Sequence, residues 1–219
     1  MLQAARDLDL ERVVHTSTSE VYGSAEYVPI DEKHPLQGQS PYSASKIGAD
    51  KLTEAFHRSF DLSVVTVRPF NTFGPRQSAR AVIPMIISQC LTSGSVKIGS
   101  LHPTRDLSFV QNTVDGFLYA AVSSDAIGQT INLGSGSEIA IGDRTKTIVG
   151  LIGGDIPIET EAARVRPEGS EVNCLIADNA RAKALLDWTP KVSLEDGLSQ
   201  TIDWIRENIS RYRPEEYVV

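Results

Sequence analysis

Apolar positions along the chain fall into short β-branched runs and longer helical patterns, and the two kinds alternate. Residues 2 to 9 read as the tail of a helix, and Val13-Val14-His15-Thr16-Ser17 follows almost at once as a short strand. Residues 25 to 40 hold Pro29, Pro35 and Gly38 among many polar groups and have no period of their own, which predicts a loop. From Ser43 the spacing turns helical, with Ile47, Leu52, Ala55 and Phe56 on the pattern, until Phe60-Asp61. Leu62-Ser63-Val64-Val65-Thr66-Val67 is a second β-rich run, and its near-continuous apolar character suits a strand covered on both faces. Strand, helix, strand at this spacing implies a parallel crossover.

Residues 71 to 80 read as a Gly/Pro/Arg loop and 82 to 92 as an apolar helix with Pro84 in its first turn. Short strands are predicted at 96 to 98 and 106 to 110, a helix at 112 to 123, and a strand at 130 to 133 that runs into the turn Gly134-Ser135-Gly136. The last third has shorter elements: a strand from Glu138 to Ile141, a helix over 143 to 152 and a strand over 156 to 160. A Pro/Gly-marked loop at 164 to 170 and helices around 178 to 187 and 194 to 208 follow. No internal repeat or low-complexity segment interrupts the pattern. The fold class is α/β: part of a parallel sheet that grades into a smaller α+β region.

Composition adds little to this but excludes several functions. The 219 residues are 41% hydrophobic and 22% charged, as in a soluble globular chain, and the net charge of −7 draws in neither nucleic acid nor an anionic membrane. A phosphate-bearing ligand would need a few placed arginines or a helix N-terminus. Cys90 and Cys174 form no C-x-x-C, and two buried reduced thiols are expected. His15, His34, His57 and His102 make no metal spacing. The charged N-terminal segment is no signal peptide and no run is long enough to span a membrane, which points to the cytoplasm.

Candidate chemistry begins with Tyr42 and Lys46, a Y-x-x-x-K pair. On a helix the two share a face, so the ammonium can favour the phenolate and let the tyrosine exchange a proton with a substrate hydroxyl. Alone the pair is equally an ordinary surface contact. Thr18, Ser19 and Glu20 lie at the exit of the first strand, where open α/β sheets bind ligands, although a strand-end turn with a solvated carboxylate accounts for them as well.

Three segments, Ser17-Thr18-Ser19-Glu20-Val21-Tyr22-Gly23, Ser40-Pro41-Tyr42-Ser43-Ala44-Ser45-Lys46 and Arg68-Pro69-Phe70-Asn71-Thr72-Phe73-Gly74-Pro75-Arg76, resemble the extended short-chain dehydrogenase/reductase family. Within it they look most like the nucleotide-sugar 4,6-dehydratases. The likeness continues in order through Arg105 to Val110, Asn132 to Gly136, Arg166 to Glu171 and Leu186 to Pro190.

The resemblance implies a Rossmann-like catalytic portion over residues 1–75 and a mainly substrate-binding portion over 76–219, with 106–134 returning to the Rossmann part. It implies NAD or NADP as cofactor and a nucleotide-diphosphate sugar as substrate. Members are commonly homodimers through a helix bundle that would include the Tyr42 helix. Tyr42 would take the O4 proton, Lys46 would face the nicotinamide ribose with it, Thr18 would hydrogen-bond O4, and Glu20 would remove the C5 proton. Ser19 departs from the aspartate usual in dehydratases, though GDP-mannose dehydratases carry serine here; water or Glu20 would then protonate the departing hydroxyl. Asn71, Arg105, Arg166 and Glu171 match substrate-binding positions. A surface ion pair with Asp106 is an alternative for Arg105, and Arg164 and Glu168 compete with Arg166 and Glu171. Arg80 to Pro84 would line the base pocket, whereas Arg144 and Lys146 read as a solvated helix face.

The family's glycine-rich pyrophosphate turn has no counterpart here, since no glycine precedes Gly23. At about 30 residues per βαβ unit, roughly 100 residues of the family pattern lie outside this chain. An N-terminally truncated sheet would present an open parallel edge and favour self-association. Two readings therefore stand beside a dehydratase: a 4-epimerase of the same family, and a catalytically inactive fragment that binds a nucleotide sugar or a partner subunit.

Overall fold

Val13–Thr16 (β1) and Val64–Pro69 (β2) run parallel, with Val13 opposite Val64 and Thr16 opposite Val67. Thr130–Leu133 (β6) lies parallel on the far side of β2. The computed structural model describes residues 1–161 and 175–212. Central β2 is buried from Val64 to Arg68, as its unbroken apolar run requires, whereas β1 is only half-buried and pairs with one strand among the described residues.

Between β1 and β2 the chain forms helix α2, Pro41–Phe60, which follows the short α1, Leu2–Asp7. Ser40 starts α2 with a reciprocal cap: its Oγ accepts from Ser43 N at 3.1 Å and Ser43 Oγ accepts from Ser40 N at 2.9 Å. Pro41 is pre-set for the first turn, and Asp61 ends the helix in a left-handed conformation at φ 53°. The apolar period locates this helix, but its inward face is polar. Ser43, Asp50 and Thr53 are buried, while Leu52 and Phe60 are exposed, with the Arg6 guanidinium 4.5 Å from the Phe60 ring centroid.

A second sheet joins Asn71–Phe73 (β3), Thr104–Phe109 (β5) and Glu138–Ala140 (β7). Residues 71 to 73 belong to this sheet rather than to the loop expected at 71 to 80, because they find a parallel ladder on β5 that local composition does not signal. The first half of β5 pairs antiparallel with β7 and its second half parallel with β3. Val96–Ile98 (β4) and Ile158–Thr160 (β8) form a small parallel pair.

Helices Val82–Thr92 (α3), Ile141–Ile152 (α5) and Leu194–Glu207 (α7) enclose a core that includes Ile83, Ile86, Ile87, Ile148 and Leu198. Cys90 is buried in it, and desolvation pushes its thiol up to about 11; Cys174 lies outside the described residues. Helices Val110–Val122 (α4) and Ala180–Leu186 (α6) cover β2 and β6 around Trp188, whose Nε1 donates to Asn112 O at 3.0 Å. No helix among the described residues is long and apolar enough to cross a membrane.

Asp106, fully buried in the middle of β5, ties these parts together. Its Oδ1 accepts from Ser135 N at 2.6 Å, and its Oδ2 accepts from Gly136 N at 3.0 Å and Ala177 N at 3.1 Å. The Gly134-Ser135-Gly136 turn thus wraps a carboxylate of its own chain. A Cβ on Gly134 would stand 2.6 Å from Asp106 Oδ2 and 2.5 Å from Ala177 Cβ, which explains the glycine. Burial raises the Asp106 carboxyl above its ordinary value, and the three amide donors offset this only in part. Asp106→Asn would turn an NH₂ group toward at least one of these donors. We expect a stability loss of about 1–3 kcal/mol, read as a lower urea midpoint at unchanged slope.

Candidate active site

The end of β1 is held by Ser17 N, which donates to Val67 O at 2.8 Å, and the chain then turns at once. Thr18, extended at φ −160°, caps a one-turn 3₁₀ helix over Ser19–Tyr22, its Oγ1 accepting from Glu20 N at 3.2 Å. Ser19, Val21 and Tyr22 turn inward and are buried, which leaves Glu20 exposed. The strand-end turn expected from composition is present, and it is also what presents the carboxylate.

Tyr42 and Lys46 occupy successive turns of α2 on one face, with the ammonium 5.9 Å from the phenol ring centroid. Lys46 Nζ donates to Thr16 O at 3.1 Å, which ties this helix to the last residue of β1. The Tyr42 ring is half-exposed.

Below them a buried polar network fixes α2 to the sheet. Asp50 Oδ2 accepts from Arg68 Nε at 3.0 Å and Nη2 at 2.9 Å, and Asp50 Oδ1 lies 3.0 Å from His15 Nε2. Arg68 Nη1 donates to the Tyr22 hydroxyl at 3.0 Å, and that hydroxyl donates to Asn132 Oδ1 at 2.6 Å. Burial works to raise the Asp50 carboxyl, but the His15 hydrogen bond and the Arg68 guanidinium prevail and hold it below its ordinary value. Burial pushes the Tyr22 phenol up against the opposing charge of Arg68.

Beside the Glu20 turn a cavity of about 820 Å³ extends between α2, α3, β3, β5 and α5. The β3–β5 register sets Asn71 opposite Leu107, and Arg105 lies two residues before Leu107, so all three point to one face of the sheet and into the cavity. Asp106 points to the opposite face with its oxygens on backbone amides, so it is not the ion-pair partner considered for Arg105. Arg105 Nη1 donates to Thr104 O at 2.8 Å. Asn71 Nδ2 is buried without a protein hydrogen-bond partner.

Of the sequence-derived candidates, Glu20, Asn71 and Arg105 line the cavity together. Thr18, Ser19, Tyr42 and Lys46 cluster at the strand end and first turns of α2, outside its lining. Arg166 and Glu171, with their competitors Arg164 and Glu168, lie outside the described residues. Arg80 and Val82 also face the cavity.

One expectation is overturned. Lys146 is solvated and reaches Asp143 at 3.0 Å, but Arg144 is 1% exposed and faces the cavity. The signal was present in the helical period: Arg144 lies three residues after Ile141 and four before Ile148, both on the inward stripe. Ser43, Tyr22 and Asn132 were also missed, since polar residues inside a helix or strand give no local sign of burial.

Among the described residues, no three His, Cys, Asp or Glu side chains gather as metal ligands. Lys46 keeps two N–H donors beyond the one given to Thr16, and together with the half-exposed Tyr42 phenol they offer hydrogen-bonding groups suited to a ligand's hydroxyls.

A parallel sheet with its polar residues gathered at the strand exits, and an i, i+4 tyrosine–lysine pair beside them, defines a Rossmann-like α/β protein of the short-chain dehydrogenase/reductase class. The chain belongs to the extended group of that family: the family model described as GDP-mannose 4,6 dehydratase matches residues 1–201. It is 32% identical to a UDP-glucose 4-epimerase of Mycolicibacterium smegmatis, over 94% of this chain and 66% of the relative. It is 30% identical to a dTDP-glucose 4,6-dehydratase of Xanthomonas campestris, over 95% of this chain and 64% of the relative. The structure of a UDP-glucuronic acid 4-epimerase from Bacillus cereus, in complex with UDP-glucuronic acid and NAD, superposes with a TM-score of 0.86 at 28% identity. That match covers 94% of this chain and 65% of the epimerase. The chain thus spans about two thirds of the length of the relatives it matches.

Asp50→Asn would leave a buried guanidinium without its counter-charge, with an expected loss of about 3–5 kcal/mol. The pH dependence has a defined sign. Because the folded-state carboxyl lies below its unfolded value of about 3.9, the Asp50 contribution is complete above that pH and is lost as pH falls through the folded value. The stability gap between wild type and variant, followed by urea titration, should shrink as pH falls below about 3.9.

Proposed function

We propose that this chain carries the acid/base and substrate-binding residues of an NAD(P)-dependent nucleotide-sugar 4,6-dehydratase, acting on a nucleotide-diphosphate sugar. The observation that carries the proposal is Glu20, the one carboxylate among the described residues that line the cavity, held at the exit of β1 by the Thr18 cap. Tyr42, with Lys46 one turn on, takes the proton of the sugar O4, and Thr18 donates a hydrogen bond to that oxygen. The bound nicotinamide supplies the hydride acceptor for C4 and the hydride donor for C6. Once C4 is a ketone the C5 proton is acidic, and a carboxylate at Glu20 becomes a competent base. Ser19 is buried and is not part of the cavity lining, so Glu20 itself returns the proton to the departing C6 hydroxyl, which leaves as water. Asn71 and Arg105 hold the diphosphate end, in line with the complementarity of guanidinium and phosphate. The exposure of the apolar residues Leu52 and Phe60 on α2 supports a homodimer that packs through this helix.

A second reading, a 4-epimerase, has support in the 32% identity to a UDP-glucose 4-epimerase. The two readings share the Tyr42 step and differ at Glu20. The test is incubation with NAD and a panel of UDP-, dTDP- and GDP-hexoses, with products followed by mass. A 4-keto-6-deoxy sugar, lighter by one water, is expected from wild type, and Glu20→Gln should lower its formation by about 10²- to 10⁴-fold. A C4 epimer formed without loss of water would sink the dehydratase assignment in favour of the epimerase, and an undiminished Glu20→Gln would sink Glu20 as the C5 base and with it the observation that carries the proposal.

A further inference from the structure

Between β3 and α3 the chain runs through residues 74 to 81, of which Gln77, Arg80 and Ala81 line the cavity. Arg76 takes a left-handed conformation in this loop, at φ 67°. For a residue with a Cβ that conformation is unfavourable and persists only where the surroundings fix it. The fixing falls on the next residue. Gln77 N donates to Gly74 O at 3.3 Å, Gln77 Nε2 donates to Thr72 O at 3.0 Å, and Gln77 O accepts from the Tyr212 hydroxyl at 3.1 Å. Two of these ties are local, whereas the third spans 135 residues of sequence. Tyr212 is itself held in the 3₁₀ turn after α7, where its amide donates to Ile209 O at 2.9 Å. Its ring is buried edge-on against Trp204, with centroids 6.0 Å apart. It lies beyond the residues that the family model matches, which end at 201.

The tied residue has one functional atom unmet. Gln77 Nε2 is engaged by Thr72, while Gln77 Oε1 is buried without a hydrogen-bond partner in the protein. A buried carbonyl oxygen ordinarily has a donor. We infer that Tyr212 is a positioning residue of the cavity, which holds the rim loop through the Gln77 backbone so that Gln77 Oε1 accepts a hydrogen bond from an O–H or N–H of the ligand. A carbonyl accepts and cannot donate, so it favours a hydroxyl or an amide N–H at this point and disfavours a phosphate oxygen. The inference rests on the nucleotide-sugar reading of the cavity, but it concerns binding and holds for a dehydrated or an epimerised sugar alike.

The experiment is calorimetric titration of wild type, Tyr212→Phe, Gln77→Met and the double variant with UDP-, dTDP- and GDP-hexoses and with the free diphosphates. Ile202→Val, which trims the core that buries Tyr212 and leaves its hydroxyl in place, is the control for lost stability. Tyr212→Phe should bind the preferred nucleotide sugar about 3- to 10-fold more weakly, and Gln77→Met about 10-fold more weakly. The double variant should bind within about twofold of Gln77→Met, because the tyrosine acts through the glutamine. Ile202→Val should melt lower yet bind within about twofold of wild type. A Gln77→Met loss confined to nucleotide sugars assigns the donor to the sugar, and an equal loss for the free diphosphates assigns it to the nucleoside. The inference is overturned if either single variant binds as wild type or fails to fold, if the two losses multiply in the double variant, or if Ile202→Val weakens binding as much as Tyr212→Phe. If the variants behave as expected while no sugar loses water, the positioning role stands and the dehydratase reading falls. If wild type binds none of these ligands, both fall.

Discussion

Burying the Arg68 guanidinium beneath α2 is possible because Asp50 accepts two of its N–H groups and Tyr22 a third. That arrangement joins four separate pieces of chain: the helix that carries Tyr42 and Lys46, the central strand β2, the turn that carries Glu20, and, through Asn132, strand β6. Asp50 lies one turn beyond Lys46 on the same helix, so the network sets the roll of α2 about its axis. The position of the tyrosine–lysine pair over the end of β1 follows from it. The hydrogen bond from Lys46 to Thr16 O then takes up the remaining freedom. Because the interaction is ionic and desolvated, it tolerates one geometry where a greasy helix–sheet contact would tolerate several.

This network also explains where local pattern succeeds and where it stops. The alternation of β-branched runs with helical spacing locates β1, α2, β2, α3 and β6 to within about two residues, because each has a run or cap that local chemistry dictates. The motif at Thr18 to Glu20 is legible for the same reason, since a cap needs only neighbours. Strand β3 was not legible, because its partner lies more than thirty residues away on β5. The inward face of α2 was misjudged in kind. Of its apolar period Ile47 packs against the core while Leu52 and Ala55 are exposed, and Ser43, Asp50 and Thr53 face in to meet partners that no local window contains.

Arg144 illustrates the opposite failure. Its helical phase was readable from Ile141 and Ile148, but a cation among apolar neighbours is conventionally assigned to solvent. The buried Asp106 has the same character: a charged residue inside β5 whose partners are three backbone amides and therefore invisible in side-chain pattern. For Asp106 the charge goes inside because a particular donor set exists, and that set is a property of the assembled chain.

The split pairing of β5 has a consequence for the spacing of Asn71 and Arg105. Arg105 belongs to the half of the strand that pairs with β7, while Asn71 is opposite Leu107 in the half that pairs with β3. Two residue rises and one interstrand spacing separate their backbones, about 8 Å, and ladder hydrogen bonds on both sides of β5 resist any change in that interval. The sheet therefore fixes the interval between the two backbones from which these side chains enter the cavity, and only side-chain torsions can alter the distance between the Asn71 amide and the Arg105 guanidinium.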